Sequence, residues 1–167
     1  MSDQPDPMAQ QQEAATPEEQ LRAALKSGAN WFYWIAGLSV VNTVLELTGA
    51  DIRFIIGLGL TQIVDVVARE SGAAGTMVPL LIDAAIVGLF LLFGYKANQG
   101  AGWGFVVGML VYLLDGGILL LLEDYKSAAF HAFALFFLFK GFRALRELKK
   151  LEAQKYAVPG LSQVRTD

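Results

Sequence analysis

Residues 103–122, WGFVVGMLVYLLDGGILLLL, constrain the fold more than any other stretch, because all twenty carry a single charge, Asp115. A helix of that length crosses a hydrocarbon core of ~30 Å. Four more apolar segments accompany it, at 30–47, 52–68, 78–95 and from 127 into a basic extension. With 54% hydrophobic residues in 167, the pattern defines an all-α integral membrane protein with one membrane domain.

The segments differ in quality. The first opens on Trp31, Tyr33 and Trp34, an aromatic belt suited to an interface. The second is short and sets Thr61, Gln62, Asp65 and Arg69 on one helical face, with Asp65 and Arg69 spaced to pair. That pattern suits an interfacial or re-entrant amphipathic helix beside a four-helix transmembrane bundle. The alternative is five transmembrane helices. Phe130, Phe133, Phe136, Phe137 and Phe139 predict a lipid-facing wall on the last segment.

The domain organisation follows. Residues 1–15 are polar and Gln-rich, and are expected to be a disordered tail. Residues 16–28 read as an interfacial amphipathic helix with Leu21, Ala24 and Leu25 toward the membrane surface. Thr16, Pro17 and Glu19 supply its N-cap, first helical residue and capping box. Residues 29–146 form the transmembrane helical domain, and 147–167 a basic helical extension and tail. No signal-type apolar stretch precedes the first segment, so that segment is expected to be retained. Lys140, Arg143, Arg146, Lys149, Lys150 and Lys155 follow the last segment, which places the C-terminus in the cytoplasm of a multi-pass plasma-membrane protein. The last three segments run in the same directions with four spans or five.

Composition removes much chemistry. Zero cysteines exclude disulfides, thiol catalysis and thiolate metal sites. One histidine excludes bis-histidine haem and HExxH centres, so neither a metal nor a cofactor is expected. A net charge of −3 gives no footing for nucleic acid. GWGFVVG (102–108) opens an apolar helix instead of following a strand, and fails as a dinucleotide loop. GLSVV (37–41) resembles the start of an intramembrane serine protease, but it lacks the second glycine and lies at the wrong depth for His131. No enzyme is expected.

Polar residues inside the apolar runs are the candidate site. At 1.5 Å per residue, Asp115 lies ~10 Å, Asp83 ~8 Å and His131 ~6 Å inside the outer ends of their helices. Asn42 joins them if the first segment runs outward, with Glu46 just above. An intramembrane carboxyl group needs a partner: either Asp115 or Asp83 pairs with His131 as imidazolium, or the carboxyl stays protonated and donates to a neighbour. Such a layer serves either as glue in a non-enzymatic scaffold or accessory subunit, or as the relay of a proton- or cation-coupled transporter or channel subunit.

Gly100, Gly104, Gly108 and Gly116 form a small-residue stripe, and Gly117 adds room or a bend beside Asp115. The stripe predicts close helix packing, either within the chain against small faces such as Ala84 with Gly88, or in a homo-oligomer. Beyond the bilayer itself, the other expected partner is anionic lipid headgroups at the basic extension.

Overall fold

The computed structural model describes residues 15–48 and 77–157. The N-terminal tail, the segment 52–68 and the residues from 158 onward lie outside that description, and so does the choice between four and five spans. The described chain forms four helices: α1 (Pro17–Leu47), α2 (Met77–Asn98), α3 (Gly102–Leu121) and α4 (Tyr125–Ala157). Leu80–Asn98 in α2, together with α3 and α4, are long and apolar enough to cross a membrane. Helix α1 is long but more polar, since Ser39, Asn42 and Thr43 occupy its second half.

The helices close into a ring in which α1 and α3 each pack on α2 and α4. Neighbours are antiparallel: Asn30 meets Asn98 and Thr43 meets Asp83 across α1 and α2, while Arg22 reaches Glu152 across α1 and α4. At 1.5 Å per residue α1 and α4 measure roughly 45–50 Å, so one end of each projects past the shorter pair.

Local sequence sets the helix ends. The capping box at α1 forms as the spacing predicts: Glu19 N–H donates to Thr16 Oγ1 (3.3 Å), and Thr16 N–H donates to Glu19 Oε2 (2.8 Å). Both tight connections close with the paired hydrogen bonds of a Schellman turn. After α2, Gly100 N–H donates to Ala97 O and Ala101 N–H to Lys96 O, with Gly100 at φ 77°. After α3, Glu123 N–H donates to Leu120 O and Asp124 N–H to Leu119 O, with Glu123 at φ 59°. The second turn thus asks a residue with a Cβ to adopt the left-handed conformation that glycine tolerates best.

Two expectations need correction. Residues 16–28 are not a separate interfacial helix: α1 runs unbroken from Pro17 to Leu47. Its Leu25 is buried with Leu145 and Leu148 of α4, and Leu21 and Ala24 pack on the same cluster. Apolar residues at helical spacing on two neighbouring helices bury each other before either reaches a membrane surface. The phenylalanine wall is also only partial. Phe133, Phe136 and Phe139 face outward, but Phe137 stacks on Trp31 at 4.8 Å. Helix α3 is continuous across Gly116 and Gly117, in keeping with small residues that leave room beside Asp115.

The interior is aromatic and lined by small residues. Phe32 is fully buried, with ring centroids of Phe93 and Phe105 each 6.0 Å away, and Phe90 sits edge-on to Tyr112 at 5.8 Å. Polarity in α3 is inverted relative to a water-soluble helix. Its buried residues include Gly104, Gly108, Tyr112, Asp115 and Gly116, while Val106, Val107, Leu110, Leu113, Leu114 and Leu121 are exposed.

Candidate functional site

The inward stripe of α3 presents Tyr112, Asp115 and Gly116, and that of α4 presents Ser127, Ala128 and His131. Gly116 lets the two helices approach. A Cβ there would stand 3.0 Å from His131 Cβ and 3.3 Å from its Cγ, so a larger residue would push the imidazole away from Asp115. The result is one direct contact, His131 Nε2 to Asp115 Oδ2 at 2.8 Å, between side chains only 2% and 6% exposed.

The other ring nitrogen fixes the protonation pattern. His131 Nδ1 lies 2.8 Å from the backbone oxygen of Ser127. A carbonyl oxygen only accepts, so Nδ1 carries a hydrogen and donates it. One proton is then left for the Nε2–Oδ2 contact. It sits on the carboxyl, giving a neutral acid beside a neutral ring, or on the ring, giving a carboxylate beside an imidazolium. Both forms have net charge zero. Tyr112 closes one face of the ring, stacked on His131 at 4.1 Å and 19°.

The pair is tied to the turn before α4. Asp124 caps that helix, accepting from Ser127 N–H at Oδ1 (3.1 Å) and from Ser127 Oγ at Oδ2 (2.6 Å). The hydrogen bond from the Ser127 hydroxyl holds the Asp124 carboxyl below the usual carboxylate range. Ser127 therefore serves Asp124 with its side chain and His131 with its carbonyl, so the cap and the imidazole share one positioning residue.

Asp83 belongs to a different seam. Its Oδ2 lies 3.1 Å from Thr43 Oγ1 on α1, and the same hydroxyl lies 3.2 Å from Ser39 O. Thr43 has one hydroxyl proton to give. It is shared between Asp83 Oδ2 and Ser39 O, both of which accept. Gly104 faces Ala97 and Gly108 faces Phe93. That register sets Asp115 level with Ile86, and Asp83 about one turn, ~4.5 Å, closer to the 122–124 end. Within about one turn of each other along the bundle stand two contacts, Asp115 with His131 between α3 and α4, and Asp83 with Thr43 between α1 and α2. Asn42 is half-buried next to Thr43, while the side chain of Glu46 lies outside the described residues.

The glycines divide as well. Gly104, Gly108 and Gly116 are occupied from within the chain, by Ala97 and Lys96, by Phe32 and Phe93, and by His131. A homo-oligomer seam along this stripe would have to displace those contacts. Gly100 lies in the turn after α2, not on the stripe, and Gly117 has nothing near it. Ala84 and Gly88 face outward and do not receive the stripe.

Thr43, Tyr112, Asp124 and Ser127 were not picked out by sequence reasoning. Asp124 and Ser127 carried a readable signal, an N-cap spacing immediately before an apolar segment. Thr43 and Tyr112 carried none, because a threonine and a tyrosine in apolar helices are ordinary. Among the described residues no three His, Asp or Glu side chains converge as a metal site would need. The chain matches no protein-family model, no curated protein and no solved structure. Fold and site together define a class, an all-helical protein with three helices apolar enough to span a membrane and a buried carboxyl–imidazole contact between two of them.

Proposed function

We propose that the chain is a small multi-pass plasma-membrane protein with a non-enzymatic role, a scaffold or accessory subunit. In this reading the four described helices form a transmembrane bundle with the C-terminus in the cytoplasm. The inverted polarity of α3 carries it: Asp115, Tyr112 and the glycines inside, leucine and valine outside, as expected where the surrounding solvent is lipid. Helix α1 spans with its Ser39 and Thr43 turned to the interior, which makes its lower hydropathy tolerable. The Asp115–His131 contact acts as a net-neutral clasp between α3 and α4.

Asp115→Asn separates the clasp from a relay. An asparagine Nδ2 donates to the bare Nε2 of His131 while Nδ1 keeps Ser127 O, so the contact survives. Its loss of stability should stay below about 1 kcal/mol, within the range of hydrogen bonds measured in membranes, and ion flux in liposomes should not change. A second reading, a proton or cation path, draws support from the single mobile proton between Nε2 and Oδ2 and from the Asp124–Ser127 link toward the surface turn. If Asp115→Asn abolished pH-dependent flux while leaving the unfolding midpoint in place, the scaffold reading would fall to this second one. Thiol labelling of a cysteine at Gln11 in intact cells reads the span count, since the chain has no native thiol. Protection from external reagent is the result expected for four spans.

A further inference from the structure

Where α1 and α4 project past the shorter pair, a cavity of about 340 Å³ opens beside the α2–α3 turn. Its floor is apolar, from Leu25, Leu145 and Leu148, all buried. Its rim is charged: Arg22, Lys26 and Lys149 against one carboxylate, Glu152. Arg22 is committed to Glu18 (2.9 Å) and Glu152 (3.4 Å). Lys26 and Lys149 make no ion pair among the described residues, although other basic residues at this end do, Lys150 with Glu147 and Lys155 with Glu18. The rim thus holds two uncommitted cations over an apolar floor. Nearby, Tyr95 and Trp103 stand about half exposed on the outer faces of α2 and α3, at the level where an aromatic belt meets headgroups.

We propose that this cavity binds a phosphate ester, with Lys26 and Lys149 holding the anion and the leucine floor accepting the first carbons attached to it. A point charge on a flexible stem suits a phosphate approached from two helices. The chemistry is shared by an anionic phospholipid headgroup and by a small free phosphate. The lipid form rests on the membrane reading above; the free-phosphate form does not.

The test uses the full chain purified in a non-ionic detergent, with binding followed by thermal shift and native mass spectrometry. The probes are a short-chain phosphatidylglycerol, a short-chain phosphatidylcholine and inorganic phosphate. The informative variant is Lys26→Gln with Lys149→Gln. The control is Lys126→Gln with Lys140→Gln, the same charge change outside the cavity. The expected result is saturable binding of phosphatidylglycerol that weakens about thirtyfold in the cavity variant, since each of the two lysines near an anionic lipid contributes ~1 kcal/mol. The control should bind as the native chain does, and phosphatidylcholine should bind at least tenfold more weakly. Competition by inorganic phosphate alone, lost in the cavity variant, identifies a free phosphate as the ligand. Equal weakening in both double variants, or no saturable binding of either anion, overturns the site. Resistance to alkaline extraction is scored on the membranes from which the chain is purified, so failure of the membrane reading shows separately from failure of the cavity.

Discussion

The two ends of the helical ring hold α4 by opposite means. At the projecting end, α4 meets α1 where side chains have been removed: a Cβ on Gly141 would stand 2.7 Å from Gly28 Cα, so the backbones touch. At the other end, α4 meets α3 through polar atoms, with His131 bonded to both Asp115 and Ser127. The first seam gains from many weak dispersion contacts that need only proximity. The second depends on two directed bonds, and on a proton count that has to come out even. A glycine crossing tolerates no added atom, whereas a polar clasp tolerates any partner that still donates or accepts.

The largest expected effect breaks the first half of that comparison. Gly28→Val places a branched side chain where Gly141 Cα already stands, and backbone cannot rotate away as a side chain can. Overpacking of this kind should lower stability by about 3 kcal/mol, seen as a reduced unfolding midpoint in detergent. The intrinsic helix gain on leaving glycine is under ~1 kcal/mol and does not offset it. Gly37→Val on the same helix meets nothing within 4 Å and should leave the midpoint nearly unchanged. A normal midpoint in Gly28→Val would mean that α1 and α4 do not cross this closely.

The second half is tested by a double-mutant cycle on Asp115→Ala and His131→Ala. Cavity losses cancel in the cycle, leaving the pair itself, with an expected coupling of about 1–2 kcal/mol. A coupling near zero would reduce this end to apolar contact like the other.

How much of this contrast was legible in sequence differs between the two ends. The polar end was partly readable, because Asp115, Asp83 and His131 are conspicuous in apolar text and apolar surroundings oblige each to find a partner. Which partner it finds depends on which helices are neighbours: α2 packs on α1 and α3, so Asp83 meets Thr43 of α1, while Asp115 of α3 meets the histidine of α4. The glycine end was harder to see. Gly28 follows Ala24 by four places, a small-residue pair on the first helix that sequence reasoning did not pick out, while Gly141 in FKGFR has no small residue four places away. Their meeting is set by where two helices 113 residues apart in sequence happen to cross. The stripe on α3 was legible as packing, yet its partners are Phe32, Phe93 and the backbone of α2, not the small faces its spacing suggested. Small residues receive large ones as readily as small ones.

A pH-dependent effect links the polar end to its turn. Asp124→Ala removes the N-cap of α4 and should cost about 1 kcal/mol at neutral pH. In the native chain the Ser127 hydrogen bond depresses the Asp124 carboxyl, so its contribution is complete above the ordinary carboxylate range and is lost as pH falls through the depressed value. The gap between native and variant midpoints should therefore shrink below about pH 4. A gap that stayed constant into acid would mean the cap acts through the backbone of the turn rather than through the carboxylate.

The smallest expected effect comes from two adjacent glycines of α3. Gly116 faces His131, and a methyl there meets the histidine's own Cβ at 3.0 Å, an atom fixed to the α4 backbone. Gly117 is one residue further round the helix and meets nothing within 4 Å. Alanine is favoured over glycine in a helix by ~0.8–1.0 kcal/mol, and at Gly117 no contact opposes that gain. Gly117→Ala should therefore raise the unfolding midpoint by the equivalent of somewhat under ~1 kcal/mol. Gly116→Ala should lower it, because the clasp must open to admit the methyl. Opposite signs at neighbouring positions would locate the demand for glycine in the His131 contact alone. Equal signs would instead mean that α3 needs its glycines for flexibility along the helix.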